Sequence, residues 1–324
     1  MYTVPVEAFL EMTQVQPHEV LKAKGLIVEY EPSLGQAAFA SHQWVGHGHP
    51  DPEFEQMQVL QDVFKDLLSK DCWISVEPMT SMLAPTVKPF SSKGMRSRPL
   101  SLWYDYFSVP QSREKAGEQR QAIDCIPVYV AKCHFFFALC PIIESPDQSK
   151  VFSPRAWGER GWCRLEKVCR QLRSGDGSWV MIKGRKHLEV MPYVTPSGAH
   201  VSVGEGTFTD PKDREQLGPV LKAALTAKLV SYMRAGDVEA FRALLNLQAF
   251  FMRGMNVQPA ADLVPGMTLG ADALPEWLLA DSFLFQNGFQ DLQEVDGMGW
   301  TPLSYAALGG NPATVQALLD KREL

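Results

Sequence analysis

The run Trp162-Cys163-Arg164-Leu165-Glu166 sets one carboxylate at the start of a segment with helical periodicity. Trp162, Leu165, Cys169 and Leu172 recur at helical spacing and predict one buried stripe, with Glu166 on its border one turn after Trp162. A glutamate in the first turns of a helix meets unpaired backbone N–H groups and the positive end of the helix dipole, and both favour the anion. An ionised functional role and a surface role that only compensates the dipole both suit that position.

Other residues with chemical potential are fewer. His42, His47 and His49 cluster beside Trp44, but no cysteine or carboxylate pair with structural-zinc spacing accompanies them, so a metal site is not expected. Lys88, Lys93, Arg96 and Arg98 fall in a segment bearing Pro, Ser and Gly, which reads as a solvated loop in preference to a phosphate site. No Gly-rich phosphate loop, Ser/His/Asp arrangement or metal-ligand spacing points to another reaction class. The cysteines at 72, 125, 133, 140, 163 and 169 show no CxxC spacing and mostly sit in apolar runs, as reduced intracellular thiols do.

The elements that must position these residues alternate between strand and helix. Gln36 to Trp44 reads as a short strand ending in Ser41-His42-Gln43-Trp44. Asp51-Pro52-Glu53 then supplies an N-cap, a first-turn proline and an acid, before a helical stripe of Phe54, Met57, Leu60, Phe64 and Leu67. Leu100 to Val109 predicts a second strand carrying Asp105 near its end. Arg113 to Cys133 is helix-compatible, and Pro127 either kinks it or divides it in two. His134 to Cys140, closed by Pro141, predicts a strand buried on both faces of a parallel sheet. A helix over 161–173, the turn signal Ser174-Gly175-Asp176-Gly177 and a strand over Trp179 to Lys183 follow. This alternation predicts an α/β fold. Ligands in such sheets bind at the carboxyl ends of the strands, where Ser41 to Trp44, Asp105 to Ser108 and the helix carrying Glu166 gather. Read singly, His42 also suits a polar strand end, Trp44 and Trp162 a core, and Asp105 a turn cap.

The chain of 324 residues is long enough for two domains, and 45% hydrophobic with 21% charged residues predicts a folded globular protein. A formal net charge of -6 argues against a nucleic-acid partner, which needs clustered cations. No leader pattern is seen and no run approaches the roughly 20 apolar residues of a membrane span, so no membrane partner is expected and the cytoplasm is the expected location. Beyond an irregular region rich in Gly, Pro, Thr and Ser, Asp210-Pro211 predicts a helix start, and Gly218-Pro219 a break before a longer helix.

Asp296-Gly297-Met298-Gly299-Trp300-Thr301-Pro302-Leu303-Ser304-Tyr305-Ala306-Ala307, followed by Gly309-Gly310 and Leu318-Leu319, resembles an ankyrin repeat. Thr301 caps the first helix, Pro302 occupies its first turn, the alanines allow close helix approach and the glycines turn the chain. Ala235-Gly236-Asp237-Val238-Glu239-Ala240 through Leu244-Leu245 resembles the inter-helix turn and second helix of the same repeat. The spacing between Gly236 and Gly310 leaves room for about two periods of 33 with an insertion. Repeats need roughly three units, so these either lean on the α/β domain or continue in a longer chain.

The α/β region resembles the Toll/interleukin-receptor (TIR) superfamily, including its fungal heterokaryon-incompatibility relatives. Four segments match in order: the strand ending in Ser41-His42, Trp103-Tyr104-Asp105 followed by Ser108-Val109-Pro110-Gln111, Phe135 to Pro141, and Trp162-Cys163-Arg164-Leu165-Glu166. The resemblance implies a flavodoxin-like parallel sheet of the TIR type with flanking helices, followed by an all-α ankyrin-type region. The implied organisation is an N-terminal extension over 1–35, the α/β domain over 36–185, an irregular linker over 186–216 and ankyrin-type helices over 217–324.

In enzymatic members of that superfamily the glutamate matching Glu166 is the catalytic residue of NAD hydrolysis. The resemblance therefore implies Glu166 as catalytic, with Ser41, His42, Trp44, Asp105 and Ser108 lining the substrate site. The resemblance implies NAD as a possible substrate, with no cofactor and no metal. One carboxylate near the ribose suffices to stabilise an oxocarbenium-like transition state. The expected function is signalling or interaction, with a protein partner on the repeats and homotypic association of the TIR-like domain. The alternative is a catalytically silent scaffold or adaptor.

Overall fold

The computed structural model describes residues 1–83, 85–173, 177–192, 202–266 and 276–323, and its main element is a sheet of seven strands. These are β1 (Tyr2–Pro5), β2 (Val28–Glu29), β3 (Gln36–His42), β4 (Leu100–Trp103), β5 (Phe135–Leu139), β6 (Trp179–Gly184) and β7 (His187–Met191). Their spatial order is β7-β6-β5-β3-β4-β1-β2. The four central strands are parallel, and the edges β7, β1 and β2 are antiparallel to their neighbours. The sheet is therefore mixed, not parallel throughout as expected. At one edge the turn between Gly184 and His187 is too short for the crossover a parallel pair needs, so β7 folds back on β6.

Among the parallel strands the first in sequence, β3, lies between the second, β4, and the third, β5. That order sends successive connections to opposite faces and creates a switch point between β3 and β5, where an open α/β sheet has its crevice. Helix Glu55–Ser69 covers one face with Met57, Leu60, Phe64 and Leu67. Helices Ile126–Lys132 and Gly161–Gln171 pack on each other and on β3.

Within β3 the side chains alternate. Ala38 and Ala40 belong to the core under Glu55–Ser69, while Phe39 stacks between Trp103 and Phe136 at 4.2 and 5.3 Å. The aromatic row continues through Trp179, 6.3 Å from Phe136, to Trp157, 5.4 Å from Trp179. By the same alternation Ser41 faces the Phe39 side and His42 the Ala40 side.

Several boundaries differ from expectation. Residues 1–35 are not an appendage: they supply β1 and β2, and β1 pairs with β4. The strand expected over Leu100 to Val109 stops at Trp103, because Asp105–Ser108 coils into one helical turn. Helix Glu55–Ser69 starts later than Asp51-Pro52 suggests, with Phe54 in the left-handed region at φ 61°. Asp51 still caps it from further back, accepting from the Met57 N–H at 2.7 Å. Pro127 divides the Arg113 to Cys133 segment and sits in the first turn of Ile126–Lys132, where its missing N–H costs nothing. Part of the expected linker is strand β7. Ser174, Gly175 and Asp176 of the turn signal lie outside the described residues.

A second unit is helical. Helix Pro211–Ala235 runs unbroken through Gly218-Pro219. Pro219 removes one backbone bond, and the buried Leu217, Val220, Leu221, Leu225 and Leu229 hold the helix together across it. Gly236, at φ 69°, ends it, and Asp237 caps Val238–Phe251 by accepting from the Ala240 N–H at 3.1 Å. Val238–Phe251 lies against Pro302–Gly309, and Glu276–Asn287 against Pro312–Glu323. Val238–Phe251 also packs on Pro211–Ala235. Asp296 anchors that pair: Oδ1 accepts from the Met298 and Trp300 N–H groups, and Oδ2 from the Tyr305 hydroxyl at 2.6 Å.

No helix among the described residues is long and apolar enough to cross a membrane.

Candidate active site

The carboxyl end of β3 gathers five of the six predicted site residues. On one face of the sheet, Ser41 is fully buried and its hydroxyl favours the charged form of the Glu166 carboxyl. Trp157, in helix Pro154–Glu159, donates its indole N–H to Ser41 Oγ at 3.0 Å. Glu166 belongs to helix Gly161–Gln171, whose buried residues include Cys163, Leu165, Glu166, Val168 and Cys169, whereas Trp162 is half-buried. The buried face is thus turned relative to the predicted stripe, and Glu166 lies within it.

That placement reverses the expected charge state. Burial pushes the Glu166 carboxyl up to about 8, with the Ser41 hydroxyl lowering it and the Asp105 charge raising it further. Desolvation outweighs the helix start, so the isolated site holds a neutral acid at neutral pH.

On the other face, His42 stacks on Tyr104 with ring centroids 3.8 Å apart. Its Nε2 lies 3.3 Å from Asp105 Oδ1, yet the alignment makes no hydrogen bond, and both atoms are buried without a bonding partner. The Tyr104 hydroxyl is similarly buried and unsatisfied. Burial lowers the pKa of His42, opposed by the Asp105 charge, the Ala40 backbone and Asp51. The other oxygen of Asp105 accepts from Trp44 Nε1 at 2.8 Å. Asp105 is about one-third exposed and Trp44 half-buried, so these two form the outer border of the cluster.

Ser108, the sixth predicted residue, is not part of the cluster's polar network: its Oγ accepts from the Tyr104 N–H at 3.2 Å and closes the turn Asp105–Ser108. His49 serves the backbone too, with Nδ1 accepting from the Asp51 N–H and Nε2 bonded to the Val15 carbonyl. Among the described residues no group of three or more His, Cys, Asp or Glu is arranged to hold a metal ion. The cations of the basic loop are exposed; within it Arg96 pairs with Asp71 and Arg98 donates to the Pro32 carbonyl. All six cysteines are free thiols. Burial pushes the Cys133 and Cys140 thiols up to about 12, which removes thiolate chemistry from them.

Sequence reasoning missed Trp157, Tyr104 as a ring platform, and Asp51 as a third carboxyl group close enough to act on His42. Trp157 carries no motif of its own; only its position just before the Trp162 to Glu166 run hinted at a role. In the helical unit a groove is lined by Leu292, Leu303, Leu318 and Leu319, with Gln293 and Arg322 at its polar rim. No family model, curated protein or solved structure matches this chain.

Proposed function

We propose that the α/β unit is a TIR-like domain that hydrolyses NAD through Glu166, and that the helical unit acts as ankyrin-type repeats binding a protein partner. The observation that supports the catalytic half is the buried Glu166 carboxyl at the carboxyl end of β3, near enough to Ser41 and Asp105 for both to act on its charge. In this reading the C1′–N bond to the nicotinamide ring breaks, its electron pair neutralises the ring nitrogen, and water adds to C1′ and releases a proton. The Glu166 carboxylate stabilises the ribosyl cation between those events. A cationic ring beside a neutral buried carboxyl draws off its proton, so ionisation of Glu166 is coupled to binding of the charged substrate.

The test is nicotinamide release from NAD by the full chain, compared with Glu166→Gln, which keeps the volume and removes the charge. Release that depends on Glu166 supports the reading. Equal background in both, at high protein concentration and under self-associating conditions, overturns it.

A second reading is a silent scaffold. It is favoured by the depth of Glu166, since a buried neutral acid also serves simply as a packing residue between β3 and its helix. The groove at Leu318 and Leu319 supports the partner-binding half in either reading, and loss of a captured partner on Leu319→Asp tests it.

A further inference from the structure

The N-terminus of the helix carrying Glu166 is closed by a distant piece of chain. Thr207 forms an isolated parallel bridge with Arg160. The Gly161 N–H donates to the Thr207 carbonyl at 3.0 Å, and the Thr207 N–H donates to the Glu159 carbonyl at 2.7 Å. The Thr207 hydroxyl reaches the same Glu159 carbonyl at 3.1 Å, and Arg160 Nη2 donates to Thr209 Oγ1 at 2.9 Å. The helix's own N-cap residue, Arg160, makes no side-chain cap bond, so this segment satisfies the first N–H group in its place.

Phe208 sits at the centre of the contact. A Cβ built on Gly161 would fall 2.0 Å from its ring, so only glycine lets the ring rest there. Residues Gly206–Thr209 cluster with the α/β unit, although the residues immediately before and after them belong to the helical one. The next residue, Asp210, caps helix Pro211–Ala235 through the Lys212 N–H at 2.9 Å. Thr207, Phe208 and Thr209 thus bind the start of the Glu166 helix while the chain on either side of Gly206–Thr209 belongs elsewhere.

The seat lies close to the polar cluster along that helix. Cys163, two residues after Gly161, donates to the His42 carbonyl at 3.4 Å, and Glu166 follows one turn later. Arg164 Nε donates to the Gly158 carbonyl at 2.8 Å, which joins the corner that bears Trp157 to the same turn. The first turn is thus joined to the carboxyl end of β3 through Cys163 and to the Trp157 corner through Arg164.

We propose that Gly206–Thr209 is a strap that positions the Glu166 helix and keeps its carboxyl sealed, so that lifting the strap opens the carboxyl to a ligand. This is a regulation of the site read above as catalytic and takes its functional meaning from that reading. The strap meets the start of one helix and is not a strand of the sheet, so it can open locally while the sheet stays folded.

The experiment uses the full chain with Phe208→Ala, which removes the ring, and Gly161→Ala, which expels it from the other side. Hydrogen exchange of the first two turns of the helix is followed together with the carboxyl titration of Glu166 by carbon NMR. Both variants are expected to speed exchange there by about tenfold or more, with β5 and β6 unchanged. Glu166 is expected to titrate at least about one pH unit below its native value, as water reaches it. Unchanged exchange and titration in the folded variants would overturn the strap, and so would acceleration spread evenly over the whole unit. Should either variant fail to fold, Thr209→Ala removes only the Arg160 bond and is expected to move both readouts in the same direction by less; no movement would count against the proposal. Neither readout requires NAD cleavage, so an inactive chain tests the strap as well as an active one.

Discussion

The indole N–H of Trp157 donates to Ser41 Oγ at 3.0 Å, joining positions 116 residues apart. A serine hydroxyl has two acceptor sites and one proton. With Trp157 filling an acceptor site, the hydroxyl proton stays available to a neighbouring acceptor. Trp157→Phe strands a buried oxygen and is expected to cost about 1 kcal/mol, read by urea unfolding. Ser41→Ala removes the hydroxyl that favours the carboxylate, so Glu166 is expected to titrate even higher, read by carbon NMR.

Glu166 makes folding weaken as pH rises. Its folded value is about 8 against a reference of 4.5, so between these pH values the native state keeps a proton that the unfolded state has lost. Stability then falls with pH in that window, by about 1.4 kcal/mol per pH unit at the steepest. Glu166→Gln is expected to flatten this slope and to be more stable than the parent near pH 8. Unfolding curves across the window check it, and an unchanged slope would show that the carboxyl is solvated.

His18 acts on the acid side. It is fully buried, with Nδ1 bonded to the Phe107 carbonyl and Nε2 without a partner. Burial lowers its pKa below 6.5, so under acid the unfolded state takes up a proton that the native state refuses. The stability this gives is complete above pH 6.5 and is lost as pH falls below it. His18→Asn, which keeps a donor toward Phe107, is expected to shift the acid unfolding midpoint to lower pH.

Should NAD cleavage be observed, kcat/KM is expected to rise with pH and level off near 8, because that ratio reports ionisations of the free protein. Glu166 must lose its proton to act on a cation. A profile that falls over pH 6 to 8 would instead require a protonated group.

The helical unit is expected to respond separately. Thr301 and Ser304 form a reciprocal capping box at Pro302–Gly309. Thr301→Ala is expected to cost about 1 kcal/mol of that unit's stability while leaving the Glu166 titration unchanged.

What was legible in the sequence was what local pattern encodes. Ser41, His42, Trp44 and Asp105 could be placed because polar residues closing an apolar strand mark its open end, and Glu166 because its run has helical spacing. The charge of Glu166 was not legible: a first-turn position predicts an anion, and only tertiary burial reverses it. Ser108 looked equivalent to its neighbours, since one turn of helix after β4 decides where its hydroxyl points. Gly218-Pro219 read as a break because the buried leucines that hold the helix through it act across space. The antiparallel edges depend on pairing partners far apart in sequence, which no local period reveals.

The aromatic row that ends at Trp157 gives the cluster an optical signature. Trp157 and Trp179 lie 5.4 Å apart with their planes at 36°, close enough for their strong ultraviolet transitions to couple. One of the two indoles is bonded to the Ser41 hydroxyl. Displacement of that hydroxyl is expected to shift the absorption and emission of Trp157, which gives the cluster an intrinsic optical readout.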